Sequence, residues 1–259
     1  MCFYFLRIAQ GGTIIMSVKA LSISHLEKKV GKSHLLHDIS LSIGEGEVFG
    51  FLGPNGAGKT TTMKCILGIM RPTSGEIKIF SGEIDDTEVR KRIGFMPENT
   101  YLYKYLTADE FLDFNAAFYG LKGGELEKRK NEVLNQVGLT YARSKRLHTY
   151  SKGMLQRIGL AQAILHDPEL IFLDEPMSGL DPIGRKMVKD LMLHLKKKGK
   201  TLFFNTHILS DVEAICDRFA IIAQGKIVAD MKVRSLEMPI EDFFMERVIK
   251  AQGEYMKVE

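Results

Sequence analysis

Gly53-Pro54-Asn55-Gly56-Ala57-Gly58-Lys59-Thr60 has the residue types and spacing, G-x-x-x-x-G-K-[ST], that a backbone needs to cradle a polyphosphate. Glycines at 53, 56 and 58 let backbone N–H groups turn inward on phosphate oxygens at a helix N-terminus. Lys59 supplies a point charge for the β- and γ-phosphates, and the Thr60 hydroxyl is placed to ligate Mg²⁺. Thr61 is read as a further phosphate contact. The bare pattern would arise by chance in on the order of one chain in a hundred of this length, so its surroundings matter. Val48-Phe49-Gly50-Phe51-Leu52 before it reads as a buried strand and Thr60 to Ile69 after it as a helix, which is the context such a loop requires.

A second candidate element follows about a hundred residues later. Glu169-Leu170-Ile171-Phe172-Leu173-Asp174-Glu175-Pro176 is an apolar run ending in two acids, as when a core strand delivers carboxylates to its C-terminal edge. Taken alone, such a pair is more often a surface turn or a helix cap. Beside a phosphate loop it reads as chemistry: Asp174 to hold Mg²⁺ and Glu175 to polarise a water that attacks the γ-phosphate.

The remaining pattern supplies a scaffold for these two edges. Val18 to Ile23, Ile39 to Ile43 and Glu76 to Phe80 alternate with period two and predict an antiparallel sheet flanking the nucleotide core. From about residue 100 to 165 the period turns helical, with Thr107 capping a helix that carries Glu110 three residues on. Glu125 to Val137 and Ser151 to Leu165 continue at helical spacing. Strands 170–174 and 201–205, separated by a helix from Ile183 to Lys198, predict a mostly parallel sheet. One helix is expected in the tail, from Ile240 to Lys250.

Composition agrees with a large α/β unit: 259 residues, 45% hydrophobic and 26% charged. A net charge of +4 from 36 basic and 32 acidic residues is too small to imply nucleic acid, and none is expected as a partner. Cys2, Cys65 and Cys216 are too scattered for a disulfide framework or zinc site, and Cys65 is expected in the core. No stretch approaches the roughly 18–20 apolar residues that cross a bilayer. Residues 1–15 are expected to be a mis-assigned start or disordered, because Gln10-Gly11-Gly12 can be encoded by a purine-rich ribosome-binding sequence a few codons before Met16.

Tyr150-Ser151-Lys152-Gly153-Met154-Leu155-Gln156-Arg157 resembles the signature motif of ABC-type ATPases, and it precedes the Asp174-Glu175 strand at the usual distance. Ser178-Gly179-Leu180-Asp181-Pro182 is similar to that family's D-loop, Thr206-His207 to its switch histidine, and Pro97-Glu98 to its Q-loop. These motifs stand in the family's order over about residues 17 to 235, leaving 236–259 as a short helical tail. The resemblance implies a P-loop NTPase core with a flanking antiparallel β subdomain and an inserted helical signature subdomain. It also implies an ATP- and Mg²⁺-dependent ATPase that powers transport.

In that reading His207 contacts the γ-phosphate, and Glu98 joins Thr60 and Asp174 around the metal. Ser151, Gly153 and Asp181 of one copy meet the ATP held by a second copy in a head-to-tail sandwich. An integral-membrane permease subunit is the implied partner, holding the chain on the cytoplasmic face of the membrane. Lys152, Met154 and Glu98 depart from the commonest pattern in the manner of exporters of drugs, antibiotics, lipids and ions. Val30 stands where the family places an adenine-stacking aromatic, which leaves the base to another aromatic or the affinity to the triphosphate. A soluble ABC ATPase acting on ribosomes or DNA is the alternative, although such proteins usually fuse two domains or insert a long coiled coil.

Overall fold

The computed structural model describes residues 6–8, 14–16, 19–98 and 103–255. In chain order the strands are β1 (Leu6–Ile8), β2 (Ile14–Met16), β3 (Lys19–Val30), β4 (Ser33–Gly44), β5 (Val48–Leu52), β6 (Ser74–Ile79), β7 (Ile93–Met96), β8 (Leu170–Asp174), β9 (Thr201–Thr206), β10 (Arg218–Ala223) and β11 (Lys226–Lys232). The helices are α1 (Lys59–Ile66), α2 (Thr87–Lys91), α3 (Ala108–Ala117), α4 (Gly123–Gln136), α5 (Lys152–Ile164), α6 (Pro182–Lys197), α7 (Leu209–Ile215) and α8 (Ile240–Tyr255). β1 and β2 pair antiparallel within and beside the segment expected to be a mis-assigned start or disordered.

The central sheet has six strands in the order β11-β10-β5-β9-β8-β7. All are parallel to their neighbours except β11, which returns antiparallel from β10. Parallel strands covered on both faces are continuously apolar, and β5, β8 and β9 are buried at every position. Their side chains alternate between two cores. Val48, Leu173 and Phe204 face helices α3 to α8, whereas Phe49, Phe172 and Phe203 face α1 and the antiparallel sheet β4-β3-β6. The α/β class and the separate antiparallel sheet are as the sequence predicts. Cys65 is buried in the second core.

Several boundaries differ, most of all in the β3–β4 hairpin, where β3 runs to Val30 past the expected Ile23 and β4 starts at Ser33 before the expected Ile39. α1 stops at Ile66 instead of Ile69, because Gly68 adopts φ 69°, a left-handed turn that ends the helix. α8 runs on to Tyr255 and is no loose tail: Ile240, Phe243 and Val248 are buried, and Phe243 packs edge-on against Phe219 of β10 at 6.2 Å.

His166, just after α5, makes one fold-level contact testable by pH. Its ring stacks on Tyr119 at 3.6 Å and its Nε2 lies 2.9 Å from the Ile93 carbonyl. A carbonyl only accepts, so Nε2 carries the hydrogen; the neutral ring then leaves Nδ1 bare, and Nδ1 is buried without a partner. Burial holds the ring's pKa down at about 4. The unfolded chain, with its imidazole near 6.5, therefore takes up the proton first as pH falls. The stabilising contribution is fully present above about pH 6.5 and is lost between there and pH 4. Between pH 7 and 5 the native protein should lose about 2 kcal/mol more than His166→Phe, which keeps an aromatic stack without a titrating group. Urea unfolding of both proteins at the two pH values checks this; equal losses would assign the acid sensitivity elsewhere.

Candidate active site

Parallel strands put their C-terminal ends on one edge, where the connections that follow can meet. Leu52 of β5 is in register with Thr206 of β9, Asp174 of β8 with Asn205 of β9, and Met96 of β7 with Leu173. The phosphate loop, Asp174-Glu175, Thr206-His207 and Pro97-Glu98 therefore share that edge, although 154 positions separate Gly53 from His207.

The loop between β5 and α1 is shaped for close approach by an anion. Gly56 and Gly58 adopt φ 78° and 112°, and a Cβ on Gly53 would lie 2.3 Å from the Ile222 carbonyl oxygen. No side chain caps α1 and no acid occupies its first turn, which leaves the positive end of the helix open. Lys59, almost fully buried, donates from Nζ to the carbonyls of Gly53 at 2.7 Å and Pro54 at 3.1 Å. Burial pushes its pKa down, and Glu175, Asp174 and Glu98 each push it back up. The three carboxylates thus lie near enough to act on one ammonium. Thr60 and Thr61 follow on the first turn of α1, and Ala57 is fixed by donation from Gly225 N to its carbonyl at 2.9 Å.

Glu175 sits just past β8 with φ 51°, a left-handed conformation that is costly outside glycine. Two bonds hold it there. Its N–H donates to the Asn205 carbonyl at 3.1 Å, and Gln156 Nε2 donates to its own carbonyl at 3.1 Å. Its Oε2 lies 2.9 Å from His207 Nδ1. An ionised carboxylate only accepts, so that nitrogen carries hydrogen. Asp174 is buried, and its Oδ1 accepts from Asn205 Nδ2 at 2.8 Å.

Thr60, Glu98 and Asp174 line one cavity. Their donors are all oxygen, as Mg²⁺ requires, but among the described residues no cluster of three or more His, Cys, Asp or Glu could hold a metal alone. The set fits an ion whose remaining ligands are phosphate oxygens and water. Ser151 and Asp181 are both exposed helix caps: Ser151 Oγ accepts from Met154 N at 3.3 Å and Asp181 Oδ1 from Gly184 N at 2.7 Å. Gly153 lies on the first turn of α5, where a Cβ would meet Leu180 at 3.4 Å.

Val30 is exposed at the end of the β3–β4 hairpin, paired with Ser33. The rings nearby are His34 and His37 of β4, 3.8 Å apart, and His37 N donates to the carbonyl of Gly225, which itself braces Ala57. Neither histidine carries a sequence signal beyond its type. Asn205 and Gln156 were likewise invisible as supports of the acids, although a polar Asn inside the buried run Leu202-Phe203-Phe204-Asn205 is the cue that could have exposed one of them.

A family model described as ABC transporter matches residues 36–178. The chain belongs to the ABC transporter ATP-binding proteins. It is 52% identical over 195 residues to such a protein of Nostoc sp., covering 74% of this chain and 58% of that one, so it spans less than two thirds of that relative's length. The bacitracin transport ATP-binding protein of Bacillus licheniformis is 40% identical over 214 residues, 82% of this chain and 69% of that one. A solved ATP-binding subunit of an ABC transporter superposes with a TM-score of 0.82 at 31% identity, covering 88% of this chain and 99% of that one.

Proposed function

We propose that this chain is the ATP-binding and ATP-hydrolysing subunit of an ABC transporter of the exporter type. The observation that carries the reading is the 2.9 Å pairing of Glu175 with His207 beside the open phosphate loop, a base and a hydrogen-bonding imidazole at one strand edge. Lys59 would leave the Gly53 and Pro54 carbonyls or share its donors with the β- and γ-phosphates, while loop N–H groups take the remaining oxygens. Glu175 would accept a proton from water aligned on the γ-phosphate, and His207 would orient that carboxylate beside the γ-phosphate. Thr60, Asp174 and Glu98 would hold Mg²⁺, which neutralises charge on the β- and γ-oxygens when bound. Ser151, Gly153 and Asp181 would complete the site of a second copy.

A membrane permease is the partner in this proposal, consistent with the absence, among the described residues, of a helix long and apolar enough to cross a bilayer. The bacitracin relative favours export. Aromatic side chains between Pro97-Glu98 and α3 suit a docking groove for a partner helix. Tyr101 lies outside the described residues, but Tyr103 is exposed and meets Phe114 edge-on at 5.1 Å at the mouth of the Glu98 cavity. A permease helix seated there would sense Glu98 directly. Tyr103→Ala with Phe114→Ala should leave ATPase of the purified subunit within a few-fold of wild type and abolish co-purification with its membrane permease. Intact co-purification by a folded double variant would move the groove elsewhere, whereas a wild-type protein without ATPase activity would sink the functional reading itself.

A further inference from the structure

The segment before α3 and the turn before α5 are laced together. Leu147 N donates to the Leu106 carbonyl and His148 N to the Lys104 carbonyl, both at 2.8 Å, and Thr107 bridges Arg146 antiparallel. Leu147 is buried beneath them, and Tyr150 is anchored by donation from its hydroxyl to the Ala142 carbonyl at 2.8 Å. The residues that alternate with these anchors are left outward: Lys104, Tyr105, Lys145, Arg146 and His148 are all exposed. Tyr105 is 82% exposed and Tyr141 69%, with the Lys145 ammonium 5.9 Å over the Tyr141 ring.

A depression of about 480 Å³ opens beside Tyr141, lined by Tyr141, Lys145, Arg146, His148, Thr149 and Met154 with no carboxylate. Arg143 alongside is neutralised by Asp109 and Glu127. Lys104, Lys145, Arg146 and His148 have no ion-pair partner among the described residues. Glu110, the acid whose field reaches Arg146, is engaged in the capping box with Thr107. Unneutralised lysine and arginine cations interleaved with exposed tyrosines are the pairing that suits the water–lipid boundary, where amphipathic rings sit at headgroup level and basic side chains meet phosphate.

We propose that this face of the helical subdomain docks directly on an anionic phospholipid surface, with a headgroup phosphate in the Lys145–Arg146–His148 depression. The contact is independent of ATP hydrolysis and of any permease, so its test needs neither. Purified protein would be floated with vesicles of phosphatidylcholine alone or with added phosphatidylglycerol, in roughly 0.1 M salt. Binding is expected only to the anionic vesicles and should be released by raising salt to about 0.5 M.

Lys145→Gln with Arg146→Gln should weaken partitioning about 30-fold, since each basic residue near such a surface is worth about a fivefold factor. The same charge change at the far end of α6, Lys197→Gln with Lys198→Gln, should leave partitioning within a few-fold of wild type. Equal losses in the two double variants would reduce the effect to overall charge and overturn the proposal, as would wild-type protein that ignores anionic vesicles. Should Lys145→Gln with Arg146→Gln fail to fold, Lys104→Gln with Tyr105→Ser, which removes one charge on the other strand of the lace, should weaken partitioning about fivefold or more. ATPase activity of every folded variant should match wild type. Capture of an acidic permease segment or of RNA through this face, without vesicle binding, would also overturn it.

Discussion

Glu175→Gln should lower ATP turnover by about 10²-fold or more while ATP binding stays near wild type, the loss usual when a general base is removed. The geometry makes this substitution unusually clean. The left-handed backbone at position 175 is held by Asn205 and Gln156 through main-chain atoms, and those bonds do not depend on the side chain. A glutamine Oε1 can still accept from His207 Nδ1, so the side chain keeps its length, direction and partner and loses only its basicity. Phosphate release in steady state and equilibrium nucleotide binding are the paired measurements. Turnover at the wild-type rate would remove Glu175 from the chemistry; loss of binding would mean that the carboxylate shapes the pocket through Lys59 instead.

How much of this site was legible follows from how local its signals are. The phosphate loop states its function in eight consecutive residues because backbone conformation, charge and hydroxyl must all occur within one turn. The Asp174-Glu175 strand is readable because a buried parallel strand is apolar throughout and its polar end stands out. What holds those acids is not local. Asn205 reaches Asp174 across 31 positions and Gln156 reaches Glu175 across 19, so each residue looks unremarkable in its own segment.

The β10–β11 hairpin was missed for a related reason. Its two-residue turn, Gln224-Gly225, takes φ 50° and 72°, but glutamine lacks the side chain that marks such a turn in sequence. α8 was visible as a helix, yet its docking on β10 depends on Phe219, which lies in that unrecognised hairpin.

The second large effect concerns the surface a partner copy would meet. Ser151 caps α5 through Met154 N, no acid occupies that helix's first turn, and Ser151 is exposed. An open positive helix end of this kind suits the γ-phosphate held by another copy's Lys59. Ser151→Arg should abolish ATP-dependent dimerisation and reduce hydrolysis to background, because a long cation opposes the helix dipole and fills the space that the partner's nucleotide needs. Losing the cap alone costs about 0.5–2 kcal/mol of stability, so Ser151→Ala separates the two causes. The alanine variant should melt earlier by a similar amount yet still dimerise and hydrolyse. Sedimentation with ATP, in a Glu175→Gln background so that nucleotide is not consumed, reads the association directly. Monomeric Ser151→Arg should bind ATP as wild type does; if it does not, Ser151 serves the site of its own chain and the head-to-tail arrangement fails.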